Sequence, residues 1–125
     1  MSRVQEGFPE DFPLGVPPND AEDAHGEAYR LVRNDPPISD DFLGYYVEKK
    51  INGSQRPGDY GTSMYRTQCD IKVMRKMYKP QREKKIAKGE LKAVHGKISK
   101  VNSKNHFELW LREKTGIEKN FSVVE

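Results

Sequence analysis

The sequence predicts one small α+β domain, mainly antiparallel sheet with one main helix, preceded by an irregular N-terminal arm. Three observations carry this reading. The chain has 125 residues, the size of a single domain. One stretch only, Thr67 to Tyr78, has a helical apolar period, whereas several short runs alternate like strands and end in Gly, Asn, Pro or Ser. Hydrophobic residues make up 34% and aromatics 10% of the chain, enough large side chains for a modest core although 33% of residues are charged. The boundaries drawn are an extended acidic, proline-containing arm over 1–26 and a domain over 27–125.

Each element follows from local chemistry. The arm holds Pro9, Pro13, Pro17 and Pro18 with several acids and no apolar period, and Phe8, Phe12 and Leu14 are its candidate anchors. From Glu27 to Arg33, Ala28, Leu31 and Val32 surround Tyr29 and Arg30 as a strand does, and Asn34-Asp35-Pro36-Pro37 closes it with a turn. Ser39 reads as the N-cap of one helical turn through Asp40, Asp41 and Phe42, followed by a long loop from Gly44 through the Gly53 to Gly61 region. Gly61 to Arg66 is strand-like. Thr67 then caps a helix, with Asp70 at its third position, that runs to about Tyr78 before Pro80 stops it. Its apolar stripe is Ile71, Met74 and Tyr78, flanked by Val73 and Met77, with Lys72, Arg75, Lys76 and Lys79 outward. Lys85–Val94, Lys97–Asn102, His106–Leu111 and Lys119–Val124 complete the domain as an antiparallel meander.

Charge is distributed unevenly. Residues 1–48 carry eleven acids against three bases, a net of −8, and residues 72–104 carry twelve bases against two acids, a net of +10. The second block attracts anions, so an anionic target or nucleic acid held through Lys72 to Lys104 is one expected partner; the other reading is a solvated face partly neutralised by the acidic third. Uncharged apolar runs are far shorter than a bilayer span, which argues against a membrane partner. One cysteine, Cys69, excludes an internal disulfide and a cysteine zinc cage, and suits the reducing cytoplasm. Neither a phosphate loop of the Walker type nor a dinucleotide glycine fingerprint occurs, and no metal site has ligand spacing.

Few residues carry candidate chemistry. Arg30 interrupts an apolar strand, where a guanidinium forks onto a phosphate or carboxylate or else stands on an exposed face. Gly61-Thr62-Ser63 begins a strand after a glycine-rich loop, so a ligand ring can approach the backbone there. His106, Glu108 and Trp110 share one face of a strand by its two-residue period. His95 and His106 titrate near neutrality and flank a predicted hairpin, which leaves open an acid and base pair for metal-free RNA cleavage; His95 reads otherwise as an exposed turn residue.

Taken together, Ala28-Tyr29-Arg30-Leu31, Tyr60-Gly61-Thr62-Ser63-Met64-Tyr65 and His106-Phe107-Glu108 resemble, in order, the motifs of small bacterial toxins of the ADP-ribosyltransferase class. The chain also resembles small bacterial proteins that share a Tyr-Arg-Leu-Val strand, Pro-Pro, Asp-Phe and a late strand with His and Trp. The transferase resemblance implies NAD as cofactor and a site between the Tyr29 and Thr62 strands. It implies Arg30 as phosphate clamp, Thr62 and Ser63 beside the nicotinamide ribose, and Tyr29 and Trp110 as further cofactor contacts. Glu108, with His106, takes the place of the late carboxylate that stabilises the oxocarbenium-like transition state, although His106 stands where the class has Glu or Gln. It also implies an antitoxin or immunity protein as partner. Rival readings are a nucleic-acid-binding module, with Tyr78 or Trp110 stacking on bases, a ribonuclease using His95 and His106, and a non-catalytic protein whose arm shields its own basic face.

Overall fold

A computed structural model describes residues 7–48 and 56–125; the remainder of the expected long loop, 49–55, lies outside the described residues. The chain is a single α+β domain built on a curled antiparallel sheet. Its strands are β1 (Glu22–Asp23), β2 (Gly26–Val32), β3 (Thr62–Tyr65), β4 (Lys85–Leu91), β5 (Gly96–Ile98), β6 (His106–Leu111) and β7 (Phe121–Val123). They lie in the order β1-β5-β6-β3-β2-β4-β7. A short helix α1 (Tyr45–Glu48) and the main helix α2 (Gln68–Met77) complete it.

Alternation along the strands divides their side chains between two faces. Ala28, Val32, Met64, Ala87, Phe107 and Leu109 pack on one face against Phe42, Ile117 and Phe121. The other face carries two clusters. At one end Ile71 and Met74 of α2 lie over Tyr29, Leu31, Tyr65 and Ile86. At the other, Phe8, Phe12 and Val16 of the arm lie over Tyr60 and Trp110. Each large side chain taken from water contributes about 1.5–3 kcal/mol, so the arm belongs to the domain's core.

Helix α2 forms where its pattern places it. Thr67 Oγ1 accepts the Asp70 amide at 3.1 Å, and Asp70 in turn accepts Asn105 Nδ2 at 2.9 Å, tying the helix start to the loop before β6. Its carboxyl is held below the ordinary range by the Thr67 and Asn105 hydrogen bonds. Tyr78 departs from the expected stripe: it is the C-cap, with extended backbone at φ −112°, and swings out to 56% exposure.

Four other expectations change. The arm is a run of turns, in which the Phe12, Val16 and Ala21 amides donate to the carbonyls of Pro9, Pro13 and Pro18, and it continues into the edge strand β1. Its anchors are Phe8, Phe12 and Val16, whereas Leu14 is 78% exposed. Ser39 does not cap the turn over Ser39–Phe42; Ile38 holds the cap position, and the Asp41 carboxylate accepts the Ile38 amide at 2.9 Å. The late strands form no meander: β5 and β6 are a hairpin beside β3, while β4 and β7 lie across the sheet beyond β2.

The contact between β2 and β3 is the narrowest ladder at the middle of the sheet. One residue pair joins them, Tyr29 opposite Tyr65. Next to it, Arg30 donates Nη1 to the Ser63 carbonyl and Nε to the Asp41 carbonyl, each at 2.9 Å, so a side chain ties the strands where backbone pairing has ended.

Candidate functional site

Ser63 and Glu108 are direct cross-strand partners on β3 and β6, and Tyr65 and His106 are the next pair along. All four therefore stand on one face, between the cluster under α2 and the cluster under the arm. Ser63 Oγ lies 2.7 Å from His106 Nε2, and Glu108 Oε1 lies 3.5 Å from the same nitrogen. A serine relay needs its carboxylate on the other ring nitrogen, so this is not a Ser-His-acid triad. The ring of Tyr65 meets His106 edge-on, with centroids 5.1 Å apart.

A cavity of about 510 Å³ opens over the Ser63 and Glu108 end of this row, walled by Arg30, Tyr45, Arg56, Asp59, Ser63 and Glu108. Its outer wall is the turn Pro57–Tyr60, fixed by Trp110 Nε1 donating to the Pro57 carbonyl at 2.9 Å and by Tyr60 in the arm cluster. The following residue, Gly61, is bonded to α1 through its carbonyl, which accepts the Tyr45 amide at 3.1 Å. Glycine is required there by closeness: a Cβ on Gly61 would lie 2.7 Å from Glu108 Oε2 and 2.8 Å from Glu108 Cβ.

Burial dominates the electrostatics. It raises the Glu108 carboxyl to about 7, with the Arg30 charge pulling it down and Asp59 pushing it up. Burial also lowers His106, disfavouring imidazolium. Burial favours the neutral form of each group, which weakens the 3.5 Å contact between them as an ion pair. A carboxyl that exchanges its proton near neutrality inside a cleft is equipped for acid, base or electrostatic work.

The structure brings together Arg30, Ser63, His106 and Glu108 of the residues singled out in the sequence. It places the other three elsewhere. Tyr29 is 8% exposed beneath α2, Thr62 is 1% exposed with its hydroxyl donating to the Phe42 carbonyl, and Trp110 is 3% exposed beneath the arm. Trp110 shares the face of Glu108, but the arm covers it. His95 is buried rather than exposed, and its Nδ1 accepts the Lys92 amide at 2.9 Å. Its carbonyl accepts the Arg112 amide, six residues along from His106, roughly 20 Å of strand, so the two histidines do not form a pair. Sequence reasoning missed Tyr45, Arg56 and Asp59; the turn signal Arg56-Pro57-Gly58-Asp59 before a strand was the available cue.

Arg30 is a strut as well as a charge. A charge-assisted bond to a main-chain carbonyl is worth about 1.5–3 kcal/mol net, and water can reach both half-buried carbonyls once the side chain is gone, so Arg30→Ala is expected to cost about 2–3 kcal/mol, read as a lower urea midpoint. Lysine, a single point donor, should recover little of it; full recovery would show that charge alone matters.

The basic block of residues 72–104 is divided among α2, β4, β5 and their loops. Parts of it are paired: Lys97 with Asp23 at 3.4 Å, Lys88 with Glu27 at 3.3 Å, and Lys72 and Arg75 with Glu125 at 3.3 and 2.9 Å. Among the described residues no group of three His, Cys, Asp or Glu side chains could hold a metal ion, and no helix is long and apolar enough to cross a membrane. Set against family models, curated proteins and solved structures, the chain finds no match in any of the three.

Proposed function

We propose that the cleft over Ser63 and Glu108, with His106 bonded beside them, is a small-molecule active site of the ADP-ribosyltransferase kind, with NAD as the ligand to be tested first. The observation that carries this reading is Glu108, a largely buried carboxyl raised to about 7 that lines a cavity within the usual size range of ligand sites. In ADP-ribosyl transfer the bond from the ribose to the nicotinamide nitrogen breaks, nicotinamide leaves with the bonding pair, positive charge builds on the ribose, and a nucleophile of the target, or water in its absence, bonds to the same carbon. A carboxylate held out of water beside that charge stabilises it far more than one in bulk solvent. The cationic nicotinamide ring of bound NAD favours loss of the Glu108 proton on binding.

Arg30 supports this reading through its field on Glu108 rather than as a phosphate clamp, because Ser63 and Asp41 carbonyls take two of its donors. Arg56 is better placed for an anionic group. It stands at the cleft wall with its side chain 82% exposed, paired to Asp59 at 3.4 Å.

Titration calorimetry and thermal melting with NAD, at low and high salt, test the proposal. Binding that raises the melting temperature and survives raised salt is expected, together with slow release of nicotinamide. Absence of heat, of a melting shift and of nicotinamide release would overturn it.

A further inference from the structure

Helix α2 covers the sheet with Ile71 and Met74 and leaves a second apolar line uncovered. Cys69, Val73 and Met77, four residues apart, share its outer side; Val73 is 53% and Met77 66% exposed, and Cys69 is exposed too. Lys72 and Lys76 lie beside that line. The segment after the helix folds back, held by Arg82 Nε donating to the Lys76 carbonyl at 3.1 Å, and a groove of about 810 Å³ runs between them. Its walls include Gln68, Lys72, Val73, Arg75, Lys76 and Arg82. A soluble surface seldom keeps an apolar line inside a ring of like charges unless something of opposite charge and some apolar character covers it.

One end of the groove already shows what its side chains grip. The Glu125 carboxylate is held there by Lys72 Nζ at 3.3 Å, Gln68 Nε2 at 3.2 Å and Arg75 Nη2 at 2.9 Å. These contacts bring the Glu125 carboxyl below its ordinary value, the Lys72 hydrogen bond foremost. Lys76 and Arg82, on the remaining walls, stand beside Val73 to take further carboxylates, and Met77 follows one turn along the same exposed line.

We propose that this groove docks an acidic segment of a partner protein, with carboxylates on Lys76 and Arg82 and an apolar side chain on Val73 and Met77. The proposal does not depend on the NAD reading, since the groove and the Glu108 cleft have no wall residue in common. A peptide fits better than a nucleic acid because the apolar line has nothing to gain from phosphates, and the grip at Glu125 is built for a side-chain carboxylate.

Panning a random peptide display library against the wild-type chain, then measuring the enriched peptides by fluorescence anisotropy, tests it. Enriched sequences should carry several acids around a Leu, Val or Phe. Their affinity should fall roughly tenfold or more in both Val73→Asp and Lys76→Glu, whose exposed positions leave the melting transition in place. The proposal is overturned if no acidic peptide is enriched, or if the variants bind as well as wild type. It is overturned equally if a single-stranded oligonucleotide outcompetes the peptides, or if sedimentation shows a second copy of this chain occupying the groove.

Discussion

Asp41→Ala is expected to lower the stability of the domain by about 4 kcal/mol, because its carboxylate accepts three donors from the turn that closes β2. The Arg33 amide donates at 2.8 Å, the Ile38 amide at 2.9 Å and Asn34 Nδ2 at 3.1 Å, around a residue only 7% exposed. Alanine would leave two half-buried main-chain amides without this acceptor and loosen the carbonyl to which Arg30 is bonded. Asp41→Asn keeps one acceptor oxygen and should cost about half as much. Burial raises the Asp41 carboxyl, but the Ile38 and Arg33 amides, Asn34 and Arg30 outweigh it, and the group titrates below its ordinary 3.8. Since the folded value lies under the unfolded one, the part of the stabilisation that depends on the carboxylate charge is complete above about pH 4 and is lost as pH falls through the folded value. Urea unfolding of wild type and Asp41→Ala at neutral and strongly acid pH should therefore show a gap that narrows in acid. A gap below about 1 kcal/mol at pH 7 would contradict the role given to this carboxylate.

Glu108→Gln acts in the opposite sense on stability and most strongly on chemistry. The folded carboxyl titrates at about 7 against an ordinary 4.5, so above pH 4.5 the unfolded chain sheds a proton that the folded chain retains. Stability contributed by the protonated group is thus full below pH 4.5 and is lost as pH rises through 7, by about 3 kcal/mol at most. Glutamine, neutral at every pH, should flatten that decline and leave the variant at least as stable as wild type at pH 8. If the cleft performs ADP-ribosyl transfer, the same variant should still bind NAD yet release nicotinamide about a hundredfold more slowly, since the charge opposite the ribose is gone. Single-turnover nicotinamide release across pH 5 to 9, beside denaturant melts over the same range, measures both. A flat stability profile in the wild type would mean that Glu108 is better hydrated than its surroundings indicate; undiminished release by the variant would remove it from the reaction.

Elements governed by nearest neighbours were the most legible. The strand at Tyr29-Arg30-Leu31-Val32, the cap at Thr67 and the strand from His106 to Leu111 follow from alternation and capping, and the fold places them within a residue or so of expectation. Pairing was not legible, because nothing in the run from Lys85 to Val94 tells it to lie beside β2 rather than beside β5. The arm had a readable signature, three proline-led turns each ending in an apolar residue, but it is neither a helical nor a strand period. Half of the cleft was legible for the same reason. Ser63, Glu108 and His106 meet because regular strands align alternate residues, whereas Arg56, Asp59 and Tyr45 come from a short turn and the start of a short helix whose directions are set by contacts with Trp110 and Gly61. The burial of His95 was hidden because a His-Gly pair looks like a surface turn whether or not anything packs upon it.

The one-pair junction between β2 and β3 divides the sheet into a set of four strands and a set of three, and the chain enters these sets alternately. Among the described strands only β5 and β6 are neighbours both along the chain and within the larger set; every other passage from strand to strand crosses the junction. No contiguous segment therefore holds one half without strands of the other, so a proteolytic fragment or a nascent chain halted before β6 completes neither half by itself. Assembly has to await long loops closing across the sheet, a topology that predicts slow, all-or-none folding late in synthesis.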